Sequence, residues 1–389
     1  MRVAYICADA GIPVFGQKGC SIHVQEVIRA LQGQGLRVDL FATRMGGELP
    51  GDLAGLVVHQ LPAIPKMERR QREQVALGMN PDLRLSLEKS APFDLVYERY
   101  SLWSYGGMEF AQAMGIPGLL EVNSPLILEQ AQHRGLIDRD GAEAVARRVF
   151  SAATALIAVS EVVKTYLINY VDESKIHVIP NGVNPHRFST LCPETNSESF
   201  TVGFVGSLKP WHGLPILTEA FNLLHQRVPN AKLLIVGDGP ERENLEAELA
   251  TRGLDTHTQF TGAVNPEEVP QLLAAMDVAV APYAAQSDFY FSPLKVYEYM
   301  AACLPVVVSQ IGQLADLIDH GVNGLLCPPG DAIALADALE KLWRSPHLCH
   351  NLGQAARKTV ISRHTWDAIA KKIIDIAGLD SPLPMEVKR

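Results

Sequence analysis
The sequence predicts an α/β protein made of two doubly wound domains, and three observations predict it. The chain has 389 residues, more than one ordinary core accommodates. Short apolar runs alternate with helical patterns from end to end, and strands spaced by helices imply parallel sheets covered on both faces. A turn-rich and then polar stretch interrupts this alternation near the middle of the chain.

In the first half the strand candidates are residues 3–8, 38–42, 56–61, 95–98, 118–122, 155–159 and 177–179. In the second half they are 201–205, 232–236, 259–261, 278–281, 305–309 and 324–327. Val24, Val27, Ile28 and Leu31 follow the i, i+3, i+4, i+7 rule and mark an amphipathic helix after the first strand. The boundary falls after Val-Ile-Pro-Asn-Gly-Val-Asn-Pro-His-Arg-Phe188, where two prolines, a glycine and two asparagines make a rigid turn ahead of a polar segment. The predicted domains are therefore residues 1–185 and 186–365. A last helical stretch, 366–377 within 366–389, is expected to pack back on the first domain through Ile369, Ile373 and Ile376.

Composition narrows the function. Hydrophobic residues make up 47% and charged residues 20%, as in a soluble globular protein. A net charge of −9 disfavours a general nucleic-acid binder. No apolar run reaches the ~20 residues of a membrane-spanning helix, and the apolar start ends at Asp9, too early for a signal peptide. Six scattered cysteines without a C-x-x-C pair suit reduced, buried thiols, so a cytoplasmic location is expected. The basic run Lys66-Met-Glu-Arg-Arg-Gln-Arg72 reads as a solvated loop whose charge Glu68 and Glu73 dilute; weak peripheral contact with anionic lipid is the other reading.

Ligands of doubly wound sheets bind at the carboxyl ends of strands, so the loops after strands are the candidates. After the first strand, Gly16 and Gly19 lie in a glycine-containing loop whose amides could approach a phosphate or sugar. It is not G-x-G-x-x-G, which disfavours a dinucleotide-dependent dehydrogenase. His23 follows in the first turn of the helix, facing a ligand or simply packed. The second domain opens with Phe204-Val-Gly206-Ser207-Leu-Lys209-Pro-Trp211-His212-Gly213, where Lys209 is a plausible diphosphate partner and His212 its assistant. Gly237-Asp238-Gly239-Pro240 is a tight turn at the next strand end, and Val264 lies in a loop able to offer backbone groups to a base.

The most informative stretch is Asp288-Phe-Tyr-Phe-Ser-Pro-Leu-Lys-Val-Tyr-Glu-Tyr-Met300, read as a loop entering a helix. Ser292 is a good N-cap and Pro293 suits the first helical position. The following amides, with the positive end of the helix dipole, suit a phosphate. Glu298 lies six residues beyond Ser292, ~9 Å along the axis, about the reach from a diphosphate to a ribose. A capped amphipathic helix with a surface acid is the plainer alternative.

Taken together, these segments resemble the retaining glycosyltransferases of family 4. The second domain is similar to their donor-binding half through Phe-Val-Gly-Ser-Leu-Lys-Pro-Trp-His-Gly213, Leu-Ile-Val-Gly-Asp-Gly-Pro240, Ser-Pro-Leu-Lys-Val-Tyr-Glu-Tyr-Met-Ala-Ala-Cys-Leu-Pro-Val-Val307 and Asn-Gly-Leu-Leu-Cys-Pro-Pro-Gly-Asp331. The linker, the loop Lys-Gly-Cys-Ser-Ile-His-Val-Gln-Glu26 and Val-Ser-Glu161 also match, so the resemblance spans essentially the whole chain. It implies the GT-B architecture, two Rossmann-like domains facing across a cleft.

It further implies that Glu298 holds the ribose of a nucleotide sugar and that amides around Ser292, Pro293 and Leu294 hold its diphosphate. Gly19, Gly237, Gly239, Val264, Tyr290 and Phe291 complete the implied donor site. The family's usual Arg and Lys on the diphosphate are here Ser207 and His212, which leaves Lys209 to supply the charge. A first Glu of the family's pattern, contacting the sugar, is here Tyr290, with Asp288 or a backbone group as substitute. Asn123 takes the place where the family often has a His near the anomeric carbon. His23, Glu98, Arg99 and Glu121 are acceptor-side candidates pointing into the cleft, surface salt bridges being the alternative for Glu98 and Arg99.

The implied reaction is transfer of a sugar, with retained configuration, from a nucleoside-diphosphate sugar to an acceptor hydroxyl of a glycan, lipid-linked or small molecule. It needs no cofactor and no metal. The alternatives are a sugar-nucleotide epimerase of the same fold and a non-catalytic nucleotide-sugar-binding protein.

Overall fold
The computed structural model describes residues 1–188, 199–286 and 289–379. They form two compact units. The first comprises Met1–Asn181, Tyr290–Ser292 and the segment from Trp366; the second comprises Gly182–Phe289 and Pro293–Thr365.

The first unit holds β1 (Arg2–Cys7), β2 (Arg37–Ala42), β3 (Val57–Gln60), β4 (Leu95–Arg99), β5 (Gly118–Val122), β6 (Ala155–Ala158) and β7 (Ile176–Val178). They form one parallel seven-stranded sheet in the order β3-β2-β1-β4-β5-β6-β7. The second unit holds β8 (Phe200–Val205), β9 (Ala231–Val236), β10 (Thr258–Gly262), β11 (Val278–Ala281), β12 (Val306–Ser309) and β13 (Leu325–Cys327). Its sheet, also parallel, runs β10-β9-β8-β11-β12-β13. Every predicted strand is present to within about a residue or two, as strand ends allow.

Burial explains why these runs become strands. β6, β11 and β12 are buried at every position, as central parallel strands covered on both faces must be. The edge strands β3 and β10 stay partly exposed. In each unit the strand order reverses direction between the first strand and the fourth, at β1/β4 and at β8/β11. Crevices of doubly wound sheets open at such switch points, outside the carboxyl ends of the strands.

The helix Gly19–Gly33 buries Val24, Val27, Ile28 and Leu31, the stripe that the spacing predicts. The helix Trp366–Ile376 packs on it, with Trp366, Ile369 and Ile373 buried and the Trp366 ring edge-on to His23 at 5.2 Å. The division between units falls after Asn181, a few residues before the predicted 185/186 boundary. Val183 is the reason: its amide donates to the His364 carbonyl at 2.8 Å, and it bridges to Thr365, which binds the linker into the second unit.

The thiol expectation holds for Cys7, Cys20, Cys327 and Cys349, which are free. It fails at Cys303, which is disulfide-bonded. Spacing alone carries no information on disulfide formation. Cys192 lies outside the described residues. Among the described residues no helix is long and apolar enough to cross a membrane.

Candidate functional site
At the switch point of the second unit, the loops after β8, β9 and β11 meet. Leu208 donates its amide to the Asp238 carbonyl at 2.9 Å, and Glu241 returns one to Leu208 at 3.2 Å, which clamps the β8 loop to the β9 loop. Two glycines permit the approach. A Cβ on Gly237 would lie 2.1 Å from the Gly206 carbonyl oxygen, and one on Gly213 only 1.5 Å from that of Pro282. Gly213 also sits at φ +66°, a conformation that other residues adopt at a cost. Gly239 donates its amide to its neighbour's carboxylate, Asp238 Oδ1, at 2.7 Å.

His212 closes the β8 loop. Its Nδ1 is 2.5 Å from the Ser207 carbonyl, so that nitrogen carries the hydrogen and Nε2 is left as an acceptor. Burial first, then the nearby Lys295 and Lys209, push its pKa down to about 3. His212 is therefore neutral and brings no charge of its own. Lys209 is half-buried with Nζ 5.8 Å from the centre of the Trp211 ring. Ser207 is exposed. Val264 is half-buried just beyond β10.

The decisive helix spans Leu294–Ala301, with Pro293 as N-cap and no side-chain cap. The expected cap at Ser292 is thus corrected. Ser292 Oγ accepts the Asn181 amide at 2.9 Å, and the Ser292 carbonyl accepts Asn181 Nδ2 at 2.7 Å, so the hydroxyl is committed before it can reach the helix. Pro293 has no N–H, which leaves Leu294 and Lys295 as the first amides without an intrahelical partner. Glu298, one turn on, is partly buried at 19% exposure and pairs with Arg187 at 3.1 Å; Arg187 also donates to the Pro266 carbonyl at 2.7 Å.

At the switch point of the first unit, three predicted residues do converge. His23 from the helix after β1, Arg99 from the end of β4 and Glu121 on β5 form one buried cluster. Arg99 Nη1 lies 3.0 Å from His23 Nδ1, and a guanidinium only donates, so the histidine hydrogen is on Nε2, which is 2.9 Å from Glu121 Oε1. Burial pushes the Glu121 carboxyl up, but His23, Arg99 and Asn123 outweigh it and hold the acid below its ordinary range. Asn123 is half-buried beside it, two residues on.

The family model described as Glycosyl transferases group 1 matches residues 193–359, and the model Glycosyltransferase Family 4 matches residues 18–187. The chain belongs to the family 4 glycosyltransferases. An uncharacterized glycosyltransferase of Methanocaldococcus jannaschii is 26% identical, over 97% of both chains. Among solved structures, sucrose-phosphate synthase from Thermosynechococcus elongatus superposes with a TM-score of 0.74 at 22% identity, over 96% of this chain and 98% of its own. Anabaena HepE in complex with UDP-glucose gives 0.72 at 20% identity, over 97% and 99%. The GT-B fold class follows from these neighbours.

Several site expectations for this glycosyltransferase need correction. Glu98 does not point into a cleft: it is wholly buried, its Oε1 accepting from Ser104 Oγ at 2.5 Å and its Oε2 facing Gly107 without a hydrogen-bond partner among the described residues. Burial pushes its pKa up to about 7, against which the Ser104 bond is the lesser effect. The folded state thus holds a proton that the unfolded chain releases near the ordinary carboxyl range. Stability should fall as pH rises from about 4.5 to 7, by at most ~1.4 kcal/mol per unit from this group. Glu98→Gln is expected to flatten that slope, as read by chemical denaturation at several pH values.

Tyr290–Ser292 belong to the first unit, not to the second, where the predicted boundaries place them. Tyr290 donates its hydroxyl to Glu129 Oε2 at 3.2 Å and accepts Ser160 Oγ on its carbonyl at 2.9 Å. The Phe291 ring lies 4.4 Å from that of Tyr290. Asp288 lies outside the described residues. Gly19 is exposed as the first residue of its helix. The basic run is not a loop throughout, since the helix Arg69–Gly78 starts within it. Glu73 does not lie on its surface: the acid is buried and accepts the Ile137 and Asp138 amides. Asp138 in turn caps the helix Arg139–Ala152 by accepting from the Gly141 amide.

Two residues escape sequence reasoning. Arg187, on Glu298, is available beforehand as the one cation of the linker turn. Lys295 draws notice in the sequence only for its amide, although side chains on a helix lean toward its N-terminus and so toward a ligand bound there.

Proposed function
We propose that this glycosyltransferase moves a sugar from a nucleoside-diphosphate sugar to an acceptor hydroxyl, with retention and without a metal. The reading rests on one observation: the clamped loops after β8 and β9 and the first turn of the Leu294–Ala301 helix lie together at the β8/β11 switch point. HepE, a neighbour of similar fold, has been solved with UDP-glucose, which supports a nucleotide-sugar donor here.

In this reading the Leu294 and Lys295 amides and Lys209 meet the charge that grows on the leaving diphosphate, where preoriented donors act most strongly. Glu298 accepts from ribose hydroxyls, and Arg187 holds its carboxylate in place. The acceptor hydroxyl attacks the face that the diphosphate leaves, and a departing phosphate oxygen takes its proton. The new glycosidic bond forms as the sugar–phosphate bond breaks, which retains the configuration.

A thermal-shift screen of UDP-, GDP- and ADP-sugars identifies the donor, since a ligand of the folded state raises its melting temperature. Turnover should then survive EDTA, and the product should keep the donor's anomeric configuration by NMR. Incubation with donor alone should give only slow hydrolysis; an isomerised sugar would mean an epimerase instead. Lys209→Ala is expected to lower kcat about tenfold, the worth of one charged hydrogen bond. Unchanged turnover would remove Lys209 from the leaving-group site.

A further inference from the structure
Lys295 is the second residue of the Leu294–Ala301 helix, and its side chain runs back under the β8 loop. Its Nζ lies 4.0 Å from the centre of the Phe204 ring on β8 and 5.9 Å from that of Tyr283 after β11. A Cβ on Gly206 would stand 3.0 Å from the same nitrogen. The amine is sealed from solvent and has no hydrogen-bond partner among the described residues. Burial lowers its pKa to about 7, and no acid among the described residues raises it again.

A buried ammonium is normally paired, because removing a charge from water costs far more than one aromatic face returns. The residues around it explain the imbalance poorly as a structural device. Phe204 and Tyr283 offer ring faces but no carboxylate, and His212 is a neutral neighbour whose own protonation Lys295 opposes. An anion that balances this charge must be small enough to enter beside Gly206, with oxygens that also reach the Leu294 and Lys295 amides. Phosphoryl oxygens have that size, charge and number.

We infer that the Lys295 ammonium is a counter-charge for a phosphoryl group of the donor's diphosphate, supplied from the helix in addition to Lys209 of the β8 loop. The inference rests on the donor reading above and assigns a second cation of the diphosphate to a residue that the motif pattern does not mark. It also makes the site a compromise. A buried charge that only ligand relieves should weaken the unliganded fold while it strengthens binding.

The test compares wild type with Lys295→Met, which keeps the apolar stem and drops the charge. UDP, GDP and ADP, each with its nucleoside, are titrated calorimetrically, and melting curves are taken without ligand and with inorganic pyrophosphate. Lys295→Met should bind the preferred nucleoside diphosphate about 10- to 100-fold more weakly, as loss of a charged hydrogen bond implies, with nucleoside affinity unchanged. Its unliganded melting temperature should rise, and pyrophosphate should no longer raise it further. Should Lys295→Met not fold, Lys295→Gln serves the same comparison. Equal diphosphate affinity in wild type and variant overturns the assignment and leaves the donor reading standing. If wild type binds none of the three diphosphates, both fall together.

Discussion

Glu298→Ala is expected to lower kcat/KM for the donor roughly a hundredfold, about what two hydrogen bonds to a charged group contribute. The carboxylate is the only acid of its helix, and Arg187 already orients it at 3.1 Å. In the proposed role, removal takes away the acceptor for both ribose hydroxyls; it also releases Arg187, which still donates to the Pro266 carbonyl. Glu298→Gln retains the shape and one acceptor, so a loss of about tenfold is expected. Donor titrations at saturating acceptor, with melting curves of each variant, separate recognition from folding. Wild-type kinetics in Glu298→Ala would end the ribose assignment. A lost activity that returns at high donor concentration would confine the role to binding.

The second large effect is on stability. Glu121→Ala should destabilise the first unit by about 3–5 kcal/mol, because it leaves the buried Arg99 guanidinium without its acid. For a unit of this size that amounts to roughly 10 °C in melting temperature. The loss should be visible by calorimetry without any ligand. His23→Gln, by contrast, leaves Glu121 and Arg99 facing each other and should cost much less. A Glu121→Ala protein that melts like wild type yet transfers no sugar would move the cluster from the fold's support to the handling of acceptor.

Particular residues show how much of this is legible beforehand. The strands are legible because parallel strands covered on both faces must be apolar throughout, and runs such as Val306-Val-Val308 leave no alternative. The glycine turns after β8 and β9 are legible because tight turns at strand ends favour glycine, and the approach of Gly237 to Gly206 leaves no room for a Cβ. His23, Arg99 and Glu121 each stand out as candidates, but nothing in their spacing says that they share one buried cluster. Glu98 misleads for the same reason. It sits beside Arg99, yet neighbours on a strand point to opposite faces. One joins the cluster, and the other is enclosed against Ser104 and Gly107.

Periodicity and turn chemistry by themselves determined the two-domain α/β plan and the order of its strands and helices, since these follow from interactions between residues close in sequence. Only the tertiary structure decided that Asn181 takes the hydroxyl of Ser292, that Arg187 holds Glu298, and that the Lys295 amine is buried with no hydrogen-bond partner among the described residues. Those outcomes depend on which distant side chains arrive at the same place. Burial then sets their charge, and a linear sequence does not carry burial residue by residue.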